Sequence, residues 1–175
     1  MTCFDYTFID FEASSLSSDS WPIEIGLAWI DEKGKLRSNS RLIKPHPQWP
    51  ESAWSNASEA VHGIRREELD TAEEAQDVAI WLAGQLAGKR ILSDAAEFDG
   101  RWLCRLMATI GQDTNFETTS IQLESRSRFD GDAMAMFFRA FASNRPQHRA
   151  ASDALNLAQA WRAALRKERK LNGRI

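Results

Sequence analysis

Residues 7–12 read Thr7-Phe8-Ile9-Asp10-Phe11-Glu12, an apolar, β-branched and aromatic stretch with two acids set into it. The apolar part has the composition of a buried strand. Strand side chains alternate between faces, so Asp10 and Glu12 project together to one side while Phe11 packs on the other. An unpaired carboxylate is costly to bury, and two close carboxylates repel unless a proton or a cation compensates them. Mg²⁺ or Mn²⁺, hard cations that prefer oxygen ligands, would supply that charge. A strand that simply ends at Glu12, with both acids solvated at its tip, also accounts for the pair.

Working outward, Glu24 to Asp31 reads as a second strand, and Gly34 turns the chain into a third, Leu36 to Lys44. The short links predict an antiparallel meander. Pro45, Pro47 and Pro50 end that pattern, and Ala75, Val78, Ala79, Leu82 and Leu86 then fall on one helix face. Gly88 closes this helix before a short apolar strand, Arg90 to Ser93. Trp102, Leu103, Leu106, Met107 and Ile110 mark a second amphipathic helix, stopped at Gly111. A fifth strand is expected over Phe116 to Leu123, then helices at about Asp132 to Ala142 and Ala151 to Leu171. A meander followed by strand–helix alternation predicts an α/β fold, a mixed sheet covered by helices.

A chain of 175 residues suits a single domain over 1–175. With 43% hydrophobic and 27% charged residues it is neither disordered nor collagen-like. No apolar run approaches the roughly 18–20 residues that span a bilayer, so no membrane association is expected. Met1 to Asp5 carries no basic stretch leading into an apolar run, which argues against a secretory signal. Two cysteines, Cys3 and Cys104, make no disulfide framework, and reduced thiols in the cytoplasm are the expectation. The net charge is −3, but residues 162–175 hold six cations and one acid, leaving 16 basic against 24 acidic residues elsewhere. This basic helical end is either a handle for a polyanion or a last turn whose cations suit the helix dipole.

Two further clusters carry chemistry. Ser93-Asp94-Ala95-Ala96-Glu97-Phe98-Asp99 leads from strand to helix; Asp94 and Glu97 read as cap and first-turn acids, whereas Asp99 sits one turn before Leu103. In His148-Arg149-Ala150-Ala151-Ser152-Asp153, Pro146 places His148 on a loop and Asp153 in the first turn of the helix. A loop histidine beside metal-bound carboxylates is suited to take a proton from water. A surface histidine and a helix-start acid are the plainer alternative.

In order, spacing and context, Asp10-x-Glu12, Phe98-Asp99 and His148-x-Ala150-x-x-Asp153 resemble the DEDDh branch of the DEDD 3′–5′ exonuclease superfamily. That branch includes the proofreading subunit of bacterial DNA polymerase III, ribonuclease T, oligoribonuclease and ERI-1-like enzymes. The resemblance runs from about Tyr6 to Trp161, and its most specific part is the HRAASD motif. Val61-His62-Gly63-Ile64 looks like the family's His-Gly-Ile turn, with a structural role for His62.

The resemblance implies an RNase H-like fold with a five-stranded mixed sheet flanked by helices. It implies that Asp10, Glu12, Asp99 and Asp153 hold two Mg²⁺ ions, with Mn²⁺ able to substitute and Asp10 as the bridge. His148 would be the general base. The implied partner is single-stranded nucleic acid with a free 3′ end, and members of the branch are often homodimers. Ala13, Ser14 and Leu16 would hold the terminal nucleotide, Leu16 against a base. Trp21, Trp49 and Trp54 are candidate base contacts, and Trp29, Trp81 and Trp102 are assigned to the core.

Two departures stand out. Ala13-Ser14-Ser15-Leu16 replaces the common Thr-Thr-Gly and resembles the RNA-directed members, which favours RNA over DNA. Ser93-Asp94 stands for the usual His-Asn, with one extra residue before Asp99. A non-catalytic binding module on the same fold, or a phosphodiesterase of very short oligonucleotides, would be the alternatives.

Overall fold

The computed structural model describes residues 6–112 and 116–172, with no account of the side chains of 171 and 172. Cys3 and Arg174 lie outside the described residues, and Cys104 is an exposed free thiol. The meander forms as the sequence predicts: β1 (Tyr6–Ala13), β2 (Pro22–Ile30) and β3 (Leu36–Lys44) pair antiparallel. Beside β1 runs β5 (Arg90–Ser93) in parallel, and β6 (Thr118–Ser120) lies parallel to β5. A two-residue β4 (Glu73–Glu74) adds a sixth strand parallel to β3, giving the order β4-β3-β2-β1-β5-β6. The sheet therefore has six strands where five were expected. Nothing apolar marks β4; Glu73 pairs with Arg41 and Glu74 with Lys44, both on β3.

After the short α1 (Asn56–His62), helices cover both faces. On one side Ile9, Phe11, Ile25 and Leu27 pack against α2 (Ala75–Leu86) and α3 (Ala96–Ala108). On the other, Tyr6, Phe8, Ala28 and Ile30 pack against α5 (Gly131–Ser143) and the 23-residue α6 (Ala150–Asn172). The expected strand over Phe116–Leu123 is cut short at Ser120, whose hydroxyl accepts the Leu123 N–H and caps α4 (Ile121–Arg128). No helix among the described residues is long and apolar enough to cross a membrane.

The start of α6 is seated on β2 at Gly26. A Cβ there would stand 2.0 Å from the Ala150 carbonyl carbon, so only glycine admits this approach. The basic end is tied to the fold at two neighbouring residues: Arg128 forks onto its one acid, Glu168, at 2.7 and 2.9 Å, and Lys167 pairs with Asp132 at 3.0 Å.

The tryptophans are distributed differently from expectation. Trp102 is buried as assigned, but Trp29 and Trp81 are half-buried at the core's edge. Trp161, on α6, fills the core instead, its ring 4.8 Å from that of Tyr6 and 5.9 Å from that of Phe8. Trp21 is no base contact. It is fully buried in a satellite cluster with Ile23, Ile64 and Leu69, stacked on Trp49 at 6.0 Å, and it donates to the Pro50 carbonyl.

Candidate active site

Along the α6-facing side of β1 the residues run Tyr6, Phe8, Asp10, Glu12. The first two lie beneath Trp161, and the carboxylates begin where that cover ends. Strand β5 pairs with β1 only as far as Phe8, so β1 continues without a strand neighbour on that side. There the Phe11 N–H is taken by Asp99 Oδ1 at 3.2 Å, and Asp99 Oδ2 accepts the Ser93 hydroxyl. Asp99, in the first turn of α3, is thereby fixed to both strands while buried.

Asp153, in the first turn of α6, accepts backbone N–H groups from Gln147 at 2.9 Å and His148 at 2.8 Å. These bonds fold the preceding loop back over the helix start, with His148 at φ +53°, a left-handed value rare outside glycine.

Asp10, Glu12, Asp99, His148 and Asp153 all line one cavity of about 650 Å³. Within it ligand atoms of Glu12, His148 and Asp153 lie inside 4.8 Å of one another, as do carboxylate oxygens of Asp10, Asp94 and Asp99. Asp94 is the acid that the sequence reading assigned to a cap. It caps nothing: the N-cap of α3 is Ala95, and no side chain caps it. The available signal was its position directly after Ser93, at the carboxyl end of a parallel strand, where α/β sheets gather their ligand-binding groups.

Burial, and then the neighbouring Asp99 and Glu12 carboxylates, hold Asp10 well above the usual carboxylate range. Glu12 is pushed up to about 8 by burial and by Asp153 and Glu24, against a weaker pull down from Arg149. Burial also raises Asp99 and Asp94, with the Ser93 and Phe11 hydrogen bonds opposing it at Asp99. The cluster is short of positive charge, and its donors are mainly carboxylate oxygens. Both properties fit hard divalent cations.

The rest of the wall mixes apolar side chains with a few polar ones, Ser15, Ser58, His62, Asn144 and Asn156. Leu16, Val61 and Phe98 stand at its rim, 70%, 55% and 37% exposed. Ala13 and Leu16 line the cavity, but Ser14 does not: it is buried, and its hydroxyl accepts the Trp21 N–H at 3.0 Å. Trp49 and Trp54 are also off the described wall, whose tryptophan is Trp102. His62 serves both structure and site. Its Nδ1 accepts the Ile64 N–H at 3.1 Å, while its Nε2 is buried at the cavity without a hydrogen-bond partner. Burial lowers its pKa, which keeps the imidazole neutral with Nε2 as the donor.

No protein-family model and no curated protein matches the sequence. Solved structures do. A zinc-bound complex of E. coli exonuclease I with single-stranded DNA superposes at a TM-score of 0.64 and 12% identity, over 95% of this chain and 42% of that one. The chain has the RNase H-like exonuclease fold. A full-length 3′-exonuclease aligns at TM-score 0.67 and 14% identity, over 95% of this chain and 62% of that one. A 3′-exonuclease in a structure of 3′-end-specific recognition of the histone mRNA stem-loop aligns at TM-score 0.66 and 14% identity, over 95% and 84%. The chain thus spans well under two thirds of exonuclease I, and at these identities the likeness is one of fold.

Proposed function

We propose that this chain is a divalent-metal-dependent 3′–5′ exonuclease that shortens single-stranded nucleic acid, with RNA favoured over DNA. One observation carries the reading: Asp10, Glu12, Asp99, His148 and Asp153, from β1, α3, a loop and α6, converge on one cavity. Asp10, Glu12, Asp99 and Asp153 would hold two Mg²⁺ or Mn²⁺ ions, with Asp10 shared and Asp94 added on the Asp99 side. When bound, such a pair stabilises charge on the entering and leaving oxygens of a phosphodiester.

The chain's own groups do the rest. His148 takes a proton from the attacking water, whose oxygen bonds to phosphorus as the bond to the 3′ oxygen breaks. The products are a nucleoside 5′-monophosphate and a strand shorter by one residue. Leu16, Val61 and Phe98 grip the terminal base without reading it, and the His62 Nε2–H donates to an acceptor on the terminal nucleotide. Ala13-Ser14-Ser15, the stretch that resembles RNA-directed enzymes, favours RNA.

The test is 5′-labelled single-stranded RNA and DNA of several lengths, in Mg²⁺ or Mn²⁺, with EDTA and Asp10→Ala controls. A ladder shortening from the 3′ end and lost in both controls is expected. Intact substrate in both metals, from folded protein, refutes the proposal and leaves a nucleic-acid-binding module. Activity that falls steeply with length would assign the chain to very short oligonucleotides instead.

A further inference from the structure

The loop that carries His148 is held by a carboxylate on each side. On the amino-terminal side, Asp153 takes the N–H groups of Gln147 and His148. On the other stands Glu24, on β2 and only 2% exposed. Its carboxylate receives Arg149 Nε and Nη2 and the Ala150 N–H, each at 3.1 Å. Two residues along the same face of β2, Gly26 lets the Ala150 backbone close to contact. Glu24 and Gly26 together make a seat for the turn from loop into α6.

Glu24 is not on the described wall of the cavity, although it stands opposite Glu12 in the β1–β2 register. An apolar residue could fill its place without the cost of burying a charge, so stability alone is a poor account of it. A carboxylate adds direction: three converging donors fix where residues 149 and 150 lie. His148, immediately before them, holds a left-handed backbone that a non-glycine residue keeps only when its surroundings impose it. The Asp153 bonds hold the amino side of His148; on its carboxyl side the Arg149 carbonyl accepts the Ser152 and Asp153 N–H groups at 2.9 and 3.1 Å as part of the helix start, and the Glu24 bonds tie that start to β2.

We propose that Glu24 is a positioning residue, which with Arg149 sets His148 over the carboxylate cavity and acts on the reaction through His148. This inference rests on the exonuclease reading. It is tested with Glu24→Gln, which keeps shape and removes charge, and Arg149→Ala, which removes a half-exposed side chain and leaves the Ala150 bond.

Two measurements are made: hydrogen exchange of the 144–152 backbone, and steady-state kinetics on a single-stranded oligonucleotide in wild-type and His148→Ala backgrounds. Faster exchange of the loop is expected in Glu24→Gln and, to a smaller degree, in Arg149→Ala. In Glu24→Gln kcat should fall about 10²-fold, the scale of a misplacement near 1 Å, with KM within about twofold. In the His148→Ala background the same change should cost under about twofold, because the two residues act as one unit. Unchanged loop exchange overturns the proposal, and so does an equal kcat loss in both backgrounds. If the wild type hydrolyses nothing, the exonuclease reading fails; the exchange data still decide whether Glu24 places the loop.

Discussion

Glu12→Gln should make the metal-free protein more stable at neutral pH, although it removes a residue assigned to the site. The Glu12 carboxyl rises from an ordinary 4.5 to about 8 in the fold, because burial and the Asp153 and Glu24 carboxylates disfavour its charge. Below pH 4.5 it is protonated whether folded or unfolded, and contributes nothing differential. Between 4.5 and 8 the unfolded chain releases a proton that the folded chain keeps, so stability falls with pH by up to about 1.4 kcal/mol per unit. At pH 7 the accumulated cost is about 3 kcal/mol, and screening by solvent at the cavity reduces it to about 1–3 kcal/mol. Glutamine stands in for the protonated form and escapes this cost. At about 2–4 °C per kcal/mol for a chain of this size, Tm should rise by about 2–12 °C at pH 7.5 and hardly at pH 4. Circular-dichroism melts in EDTA at both pH values measure the difference. Equal pH slopes for wild type and variant, or a lower Tm for Glu12→Gln at pH 7.5, would refute the reasoning.

Asp10→Ala should abolish turnover while leaving the fold intact, and should remove the Tm rise that Mn²⁺ gives the wild type. That rise corresponds to about 2.7 kcal/mol at 100 times Kd, read by calorimetry. His148→Ala should lower kcat about 10²–10⁴-fold with Mn²⁺ affinity nearly unchanged by titration; loss of a bound ion would make His148 a ligand rather than the base. Gly26→Ala drives a methyl into the Ala150 backbone, so urea denaturation should show a loss of at least about 1–3 kcal/mol, together with loss of turnover. Leu16→Ala, at a rim position 70% exposed, should leave Tm within about 1 °C and raise KM for an oligonucleotide about tenfold.

Local patterns carried most of the architecture. The two-residue period of β1 places Asp10 and Glu12 on the face opposite Phe11, and Pro146 keeps His148 off the helix that Asp153 opens. What escaped reading depends on partners distant in sequence. Strand β4 exists because Glu73 and Glu74 meet Arg41 and Lys44, some 30 residues away, and two residues offer no period to detect. Trp21 reads as a base contact and Trp161 draws no assignment, because an aromatic ring has the same composition in a core as on a binding surface; only the tertiary fold decides. Asp94 resembles a cap because strand ends and helix starts coincide there, and the acid of a cap and the acid of a cation site are the same residue type.

The ladder between β1 and β2 runs unbroken from Phe8 opposite Ala28 to Glu12 opposite Glu24, and its one irregularity falls just after Glu12. A slip of one residue would exchange the two faces of β1, turning Ile9 and Phe11 toward α6 and pushing Asp10 and Glu12 into the apolar layer beneath α2 and α3. Such a molecule would lose its core and its cavity together. A correctly zipped strand is therefore its own inspection of the carboxylate cavity, and a population of folded chains should contain almost no members with a disarranged first strand and an otherwise native shape.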